Sequence, residues 1–228
     1  MNPSPPPSAH AARPTPAERR ATFSLALLVW FAVLLQLVLS LRLALAGGQS
    51  AVQGLVAYLG YFTVLTNILV ALVLTLPAVA AASSWGRFFA RAPVQACAAI
   101  SIVLVGLAYH FLLRNIWDPQ GWQWLADVLL HYAVPVLFGL YWLGAVPGKR
   151  GLRWWVPLAA CAYPLAYFAY ALVRGVWLGS YPYPFIDVNA LGYATVLRNA
   201  AGLLGGFVLV GFLFLGAGRW AERVLRGA

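Results

Sequence analysis

The chain has 228 residues, of which 63% are apolar and only 9% are charged, and its mean hydropathy is +0.81. Soluble domains carry roughly 25% charged residues, so this composition excludes a water-soluble protein and predicts an all-α integral membrane protein. The net charge of +10 does not indicate nucleic-acid binding, because the basic residues are scattered between apolar runs. Cys97 and Cys161 both lie inside apolar runs, and they predict neither a disulfide nor a metal site. No cofactor is expected.

The chain divides into two polar ends and an apolar middle. Residues 1–21 are rich in proline and arginine, which predicts a disordered tail. Six apolar runs follow, each near the 20 or so residues that a helix needs to cross a bilayer. They cover 22–46, 54–82, 93–113, 124–145, 153–174 and 199–218. Backbone groups in lipid must be paired within their own segment, so we expect a bundle of six helices. The only long loop is then 175–198, and 219–228 is a C-terminal tail.

Alternating the six spans separates the basic residues unevenly. One side receives eleven of the fifteen: Arg13, Arg19, Arg20, Arg87, Arg91, Lys149, Arg150, Arg153, Arg219, Arg223 and Arg226. Cytoplasmic loops are the more positive ones in membrane proteins, which predicts that both termini are cytoplasmic. Lys149 is the sole lysine beside fourteen arginines, a bias that favours a bacterial source and therefore a bacterial inner membrane, with membrane lipids as partners.

Polar side chains inside two spans form the candidate site. His131 lies in the fourth span at a depth of about 10 Å, and Asp127, one turn earlier, could accept its imidazole N–H. In the second span, Thr63, Thr66 and Asn67 lie at a similar depth on one helical face. A threonine hydroxyl needs a positioned base to act as a nucleophile, and a histidine held by a carboxylate provides one. Thr63, His131 and Asp127 could therefore form a catalytic set.

Structural alternatives exist for each of these residues. A threonine in a membrane helix can bond to its own i−4 carbonyl, and His131 could simply hydrogen-bond a neighbouring helix. His110, near the outer end of the third span, is either an interfacial residue or a reserve base. The basic side chains at outer helix ends could reach the headgroups or clamp an anionic ligand; these are Arg114, Arg174 and Arg198. Residues 181–187, with Tyr183 and Asp187, are either an interfacial anchor or a rigid lid.

Three segments resemble the androgen-induced membrane hydrolase family and its bacterial six-span relatives. They are Phe62-Thr63-Val64-Leu65-Thr66, Trp124 with His131-Tyr132-Ala133-Val134-Pro135, and Tyr183-Pro184-Phe185. Their order and spacing agree from about residue 22 to 218. The resemblance implies intramembrane hydrolysis of lipid esters, notably fatty-acid esters of hydroxy fatty acids, by a threonine and a histidine on different helices. The histidine falls on His131; the threonine is Thr63 in an ungapped match and Thr66 after a shift. Pro135 lies one residue nearer to the histidine than in the family pattern.

The sequence leaves three functions open. As a hydrolase, the protein would use His131 as general base with Asp127 orienting it, and Asn67 or Tyr132 would hydrogen-bond the oxyanion. As a transporter of lipids or small molecules, it would need a polar path to both faces, and the inner halves of the spans offer no ionisable residue. A non-catalytic scaffold has no distinguishing feature in the sequence, and the oligomeric state is open.

Overall fold

The computed structural model describes residues 15–226, with the Arg226 side chain outside the described part, and all regular structure within this range is helical. The helices are α1 (Pro16–Ala46), α2 (Ala51–Tyr58), α3 (Phe62–Val79), α4 (Ser84–Phe89), α5 (Ala92–Leu113), α6 (Gly121–Gly144), α7 (Val156–Leu178) and α8 (Val188–Arg226). Six of them are long and apolar enough to cross a membrane: α1, α3, α5, α6, α7 and α8. The predicted all-α chain with six long apolar helices is confirmed, and it indicates an integral membrane protein.

Both ends of the helical region extend further than predicted. Helix α1 begins at Pro16, because the Thr15 side chain accepts the Glu18 N–H while the Glu18 carboxylate accepts the Thr15 N–H. The predicted tail over 1–21 is therefore wrong for residues 16–21. At the other end α8 continues through the predicted tail to Arg226. The remaining tail residues, 1–14 and 227–228, lie outside the described residues.

The second predicted span is divided into two helices. Where the sequence predicts one helix over 54–82, the backbone breaks between Tyr58 and Phe62. The short helix α2 packs against the end of α1, and Gly54 permits this because a Cβ there would lie 2.9 Å from the Cβ of Ala44. Helix α3 therefore starts at Phe62, which places Thr63 in its first turn.

The last connection is shorter than predicted. Helix α7 runs to Leu178 and α8 starts at Val188, so the predicted 24-residue loop over 175–198 is reduced to residues 179–187. Gly192 (φ 70°, ψ 159°) kinks the start of α8, a conformation that glycine adopts without strain. Helices α5 and α6 keep almost their predicted bounds of 93–113 and 124–145.

Helix α5 is the centre of the bundle, and it packs against α3, α6 and α8. Its Ala98, Ala99 and Ile102 are fully buried. The two alanines are small, which lets the neighbouring helices approach closely. We name the two ends of the bundle by one residue each. The Tyr183 end contains the connections 47–61, 114–120 and 179–187. The Lys149 end contains the connections 80–91 and 145–155 and the C-terminal part of α8.

Candidate active site

Two π-helical turns face each other in the half of the bundle nearer the Tyr183 end. One covers Tyr109–Leu113 of α5 and the other covers Leu129–Ala133 of α6. The second turn precedes Pro135, which has no N–H to donate to the carbonyl of His131 four residues earlier. Gly106 of α5 packs against this point, where a Cβ would lie 3.1 Å from the His131 carbonyl oxygen. Single π-turns are frequent at functional sites, and this pair brings Tyr109 and His131 into contact.

Asp127 holds His131 and Tyr109 side by side. The imidazole Nδ1 lies 3.1 Å from Asp127 Oδ1 and 3.1 Å from the Asp127 carbonyl oxygen, and the Tyr109 hydroxyl donates to Asp127 Oδ2 at 2.5 Å. The two rings stack with centroids 4.0 Å apart and planes 16° apart. Both partners of Nδ1 are acceptors, so the neutral ring carries its proton there and Nε2 keeps a lone pair. That tautomer is the one a general base requires.

Asn67 connects the helix of Thr63 to the helix of His131. Its fully buried amide donates to the carbonyl of Thr63 at 2.8 Å and to the carbonyl of Leu130, on α6, at 3.3 Å. The segment that carries His131 is thereby tied to the first turn of α3. Both amide protons are used, so Asn67 cannot supply the oxyanion donor that the sequence suggested. Its Oδ1 is buried and accepts no hydrogen bond from the described residues.

Thr63 is paired with Tyr183 across the last connection. The Tyr183 hydroxyl oxygen accepts the backbone N–H of Thr63 at 3.2 Å and lies 3.4 Å from Thr63 Oγ1. Both side chains are buried. Burial raises the pKa of the Tyr183 phenol above its ordinary value, so the phenol stays neutral and acts as a proton donor. The hydroxyl of Thr63 thus contacts Tyr183, and no hydrogen bond joins it to His131 among residues 15–226.

Thr63 and Tyr183 lie on the wall of an apolar cavity. The cavity is lined by residues of α3, α5, α7, α8 and the connection 179–187. Tyr109 lines it, and His131 stacks on Tyr109 from behind the wall. The nucleophile candidate therefore faces the cavity, while the base candidate is one aromatic ring away from it.

Thr66 lies in a different environment. Its hydroxyl is 3.2 Å from that of Tyr163 on α7, and Thr66 is not among the described residues that line the cavity. Of the two threonines that the resemblance left open, only Thr63 faces the cavity.

A ladder of α7 side chains, missed in the sequence, holds the break between α2 and α3. Tyr167 donates to the carbonyl of Gly60 at 2.9 Å, Tyr170 to that of Leu59 at 3.3 Å, and Arg174 to that of Val56 at 3.4 Å. With Tyr163 these residues are spaced i, i+4, i+7 and i+11, which places them on one face of a helix. Arg174 thus caps a backbone carbonyl at the end of α2, and its predicted role as a ligand clamp stays a prediction.

The other predicted binding residues lie around the site. His110 Nδ1 is 3.3 Å from the Tyr132 hydroxyl, and its Nε2 is 3.3 Å from Arg114. Because arginine only donates, His110 Nε2 accepts and Nδ1 donates to Tyr132. Asp187 caps the first turn of α8 by accepting the N–H of Asn189 and of Ala190. The exposed Arg198 bonds Thr195. Of these five, which are His110, Arg114, Tyr132, Asp187 and Arg198, none lines the cavity within the described chain.

Replacing Gly175 by alanine should displace the connection that carries Tyr183. A Cβ at Gly175 would overlap the ring of Tyr181, and overpacking of this kind costs about 1–3 kcal/mol. We expect a lower thermal unfolding temperature in detergent and weaker ligand binding in the cavity. Gly202→Ala is the matched control, because a Cβ there meets open space. Equal unfolding temperatures for the two variants would contradict the packing argument.

Comparisons with protein-family models, with curated proteins and with solved structures find no match for this chain. Among residues 15–226, no group of three or more His, Cys, Asp or Glu side chains is placed to hold a metal ion. The polar groups of the site are the Thr63 hydroxyl, the Tyr183 phenol and the His131 imidazole bound to Asp127.

Proposed function

We propose that this protein is an intramembrane hydrolase of lipid esters, with Thr63 as nucleophile and His131 as general base. The observation that carries the proposal is the Asn67 bridge. It ties a buried hydroxyl on an apolar cavity to the segment whose histidine is held by a carboxylate in the base tautomer. The three segments that resemble the androgen-induced family contain Thr63 and His131 but not Asn67 or Asp127. The resemblance thus supports the same nucleophile and the same base.

The proposed reaction begins with the substrate carbonyl oxygen accepting a hydrogen bond from the Tyr183 hydroxyl. This frees the Thr63 hydroxyl from Tyr183. Because His131 lies behind Tyr109, one water molecule carries the proton between Oγ1 and the imidazole. Oγ1 attacks the carbonyl carbon as its proton passes to His131 Nε2, and the same proton then leaves with the alkoxide as an alcohol. Water then attacks the acyl-Thr63 ester as His131 takes one of its protons, and that proton passes to Oγ1 when the acid leaves. Catalytic hydrogen bonds often form only in the substrate complex, so the Thr63–Tyr183 pairing fits the resting state.

Tyr183 takes the oxyanion role that the sequence offered to Asn67 or Tyr132. The Asn67 amide is used by two carbonyls, and Tyr132 is not among the described residues that line the cavity. Tyr183 is neutral, buried and 3.4 Å from Oγ1, and a preorganised donor beside the attacking atom stabilises a developing oxyanion.

The shape of the cavity supports hydrolysis over conduction. Toward the Lys149 end it is closed by a buried cluster that includes Ile100, Cys161 and Phe207. A cavity closed at one end can hold a ligand, whereas a transport path must reach both faces. In the orientation favoured by the eleven-to-four distribution of basic residues, both termini are cytoplasmic and the Tyr183 end faces outward. For a bacterial chain this corresponds to the inner membrane with an outward-facing ester site.

Thr63→Ala should reduce ester hydrolysis by at least roughly 1,000-fold, because no other hydroxyl can take over the covalent step. The measurement is release of a fluorogenic alcohol from an acyl ester by purified protein in detergent. Two matched threonines on α3 serve as controls. Thr75 bonds its own Ala71 carbonyl and Thr66 bonds Tyr163, so alanine at either position should leave the rate within a few-fold. Loss of activity in Thr66→Ala but not in Thr63→Ala would refute the assignment.

A further inference from the structure

The cavity recognises a polar group at one end only. Four of its lining side chains in the described chain carry a hydroxyl. Tyr109 donates its proton to Asp127 and Tyr167 donates to the Gly60 carbonyl. The hydroxyls of Thr63 and Tyr183 are then the ones that a ligand can hydrogen-bond. Both lie at the Tyr183 end. A ligand must place its polar group there and fill the rest of the cavity with hydrocarbon, because an unpaired polar group in an apolar site is unfavourable.

Two side chains form the floor of the cavity. Leu104 of α5 and Leu204 of α8 line it, and both pack onto the buried cluster of Ile100 and Phe207 below. Phe207 is fully buried, so hydrocarbon cannot extend past this level without displacing it. The nine residues from Leu113, at the top of the cavity, to Leu104 correspond to about 13 Å along the helix.

The side of the cavity formed by α7 and α8 is partly open, because Leu165 of α7 both lines the cavity and is exposed. The two helices are joined near the Tyr183 end by a cluster that includes Ala171, Tyr183 and Val196. Between that cluster and the floor, the wall is formed by Phe168 and by Leu165, which is 49% exposed. In a membrane this opening faces acyl chains, so hydrocarbon can enter from the bilayer without crossing the connection 179–187.

We infer that the cavity selects acyl chains by their length. It holds one straight chain of roughly ten carbons, the length that fits about 13 Å. The acyl carbonyl lies at Thr63 and Tyr183, and the methyl end lies against Leu104 and Leu204. Only the reaction of that carbonyl rests on the proposed function. Each methylene buried before the floor strengthens binding by roughly four-fold, which corresponds to about 0.8 kcal/mol, and longer chains gain nothing more.

Photo-crosslinking tests the inference without requiring turnover. The Thr63→Ala protein, reconstituted in phosphatidylcholine vesicles, is labelled with methyl esters that carry a diazirine at the chain end, and the labelled residues are identified by mass spectrometry. A probe of about ten carbons should label Leu104 and Leu204, and one of about six carbons should label near Ala108 and Ala200, about one turn higher. Labels on lipid-facing residues such as Leu209 and Leu213 for both lengths, or no label in the cavity, would overturn the inference.

A variant of the floor provides the second readout. Leu204→Trp should reduce floor labelling by the longer probe about ten-fold and leave labelling by the shorter probe unchanged. Leu209→Trp is the control, because Leu209 lies on the same helix and is 62% exposed. If the first variant does not fold, Leu104→Ala should shift the label of a probe of about twelve carbons toward Ile100. If labelling follows chain length while Thr63→Ala retains hydrolysis, the proposed function is refuted. The inference that the cavity selects acyl chains by length is then still supported.

Discussion

His131→Ala is expected to lower the rate of ester hydrolysis by roughly 10²–10⁴-fold, the usual contribution of a general base. The imidazole is the group in the described site whose Nε2 can accept the Thr63 proton, since Nδ1 is held by Asp127. Tyr183 cannot replace it, because its phenol is neutral. The rate is measured on purified protein under saturating substrate, with folding checked by thermal unfolding in detergent.

Two variants separate the base from its surroundings. Asp127→Asn should lower the rate less than His131→Ala, because the backbone carbonyl of residue 127 still accepts the Nδ1 proton while the charge that stabilises the imidazolium is lost. His110→Ala should stay within a few-fold of the native rate, since that ring is used by Tyr132 and Arg114. A folded His131→Ala protein with an unchanged rate would remove the catalytic assignment.

Hydropathy alone predicts the number of helices but not the break inside the second run. Residues 54–82 are mostly apolar, and the single Gly60 is too weak a signal to end a helix at Tyr58. The backbone can open there because its carbonyls are satisfied by Tyr167, Tyr170 and Arg174 from a helix more than a hundred residues away in sequence. Such a break depends on tertiary contacts. The start of α1 was different, since Thr15, Pro16 and Glu18 form a capping signal that can be read from sequence.

The same distinction holds for the candidate site. Asp127 and His131 are one helical turn apart, so their contact could be predicted from spacing. The pairing of Thr63 with Tyr183 spans 120 residues and depends on how the last connection folds over α3. The role of Tyr109 is not predictable from the sequence, because many aromatic residues lie near the predicted membrane interfaces. Its neighbour His110 is a predicted site residue on the same turn of α5. The ladder on α7 could have been found, because its tyrosines and Arg174 repeat with helical spacing.

The Lys149 end contains a second set of buried charges, in residues that hydropathy assigns to a loop and a tail. Glu222 of α8 is buried, and its carboxylate accepts the backbone N–H of Gly148 at 2.7 Å and of Arg150 at 2.6 Å. The fully buried Lys149 ammonium donates to the carbonyls of Trp142 and Val146. The connection 145–155 is therefore fixed to α8 and closes this end of the bundle.

Glu222→Ala should lower the free energy of unfolding by about 3 kcal/mol, because two backbone N–H groups lose their charged acceptor. For a chain of this size the unfolding temperature should fall by roughly 5–10 °C, measured by thermal denaturation in detergent. Arg223→Ala, at the exposed neighbouring position, should leave the unfolding temperature unchanged. Below the unfolding transition, Glu222→Ala should hydrolyse esters at the native rate, since Glu222 lies at the opposite end from Thr63. Loss of hydrolysis in the folded variant would mean that the two ends of the bundle are coupled.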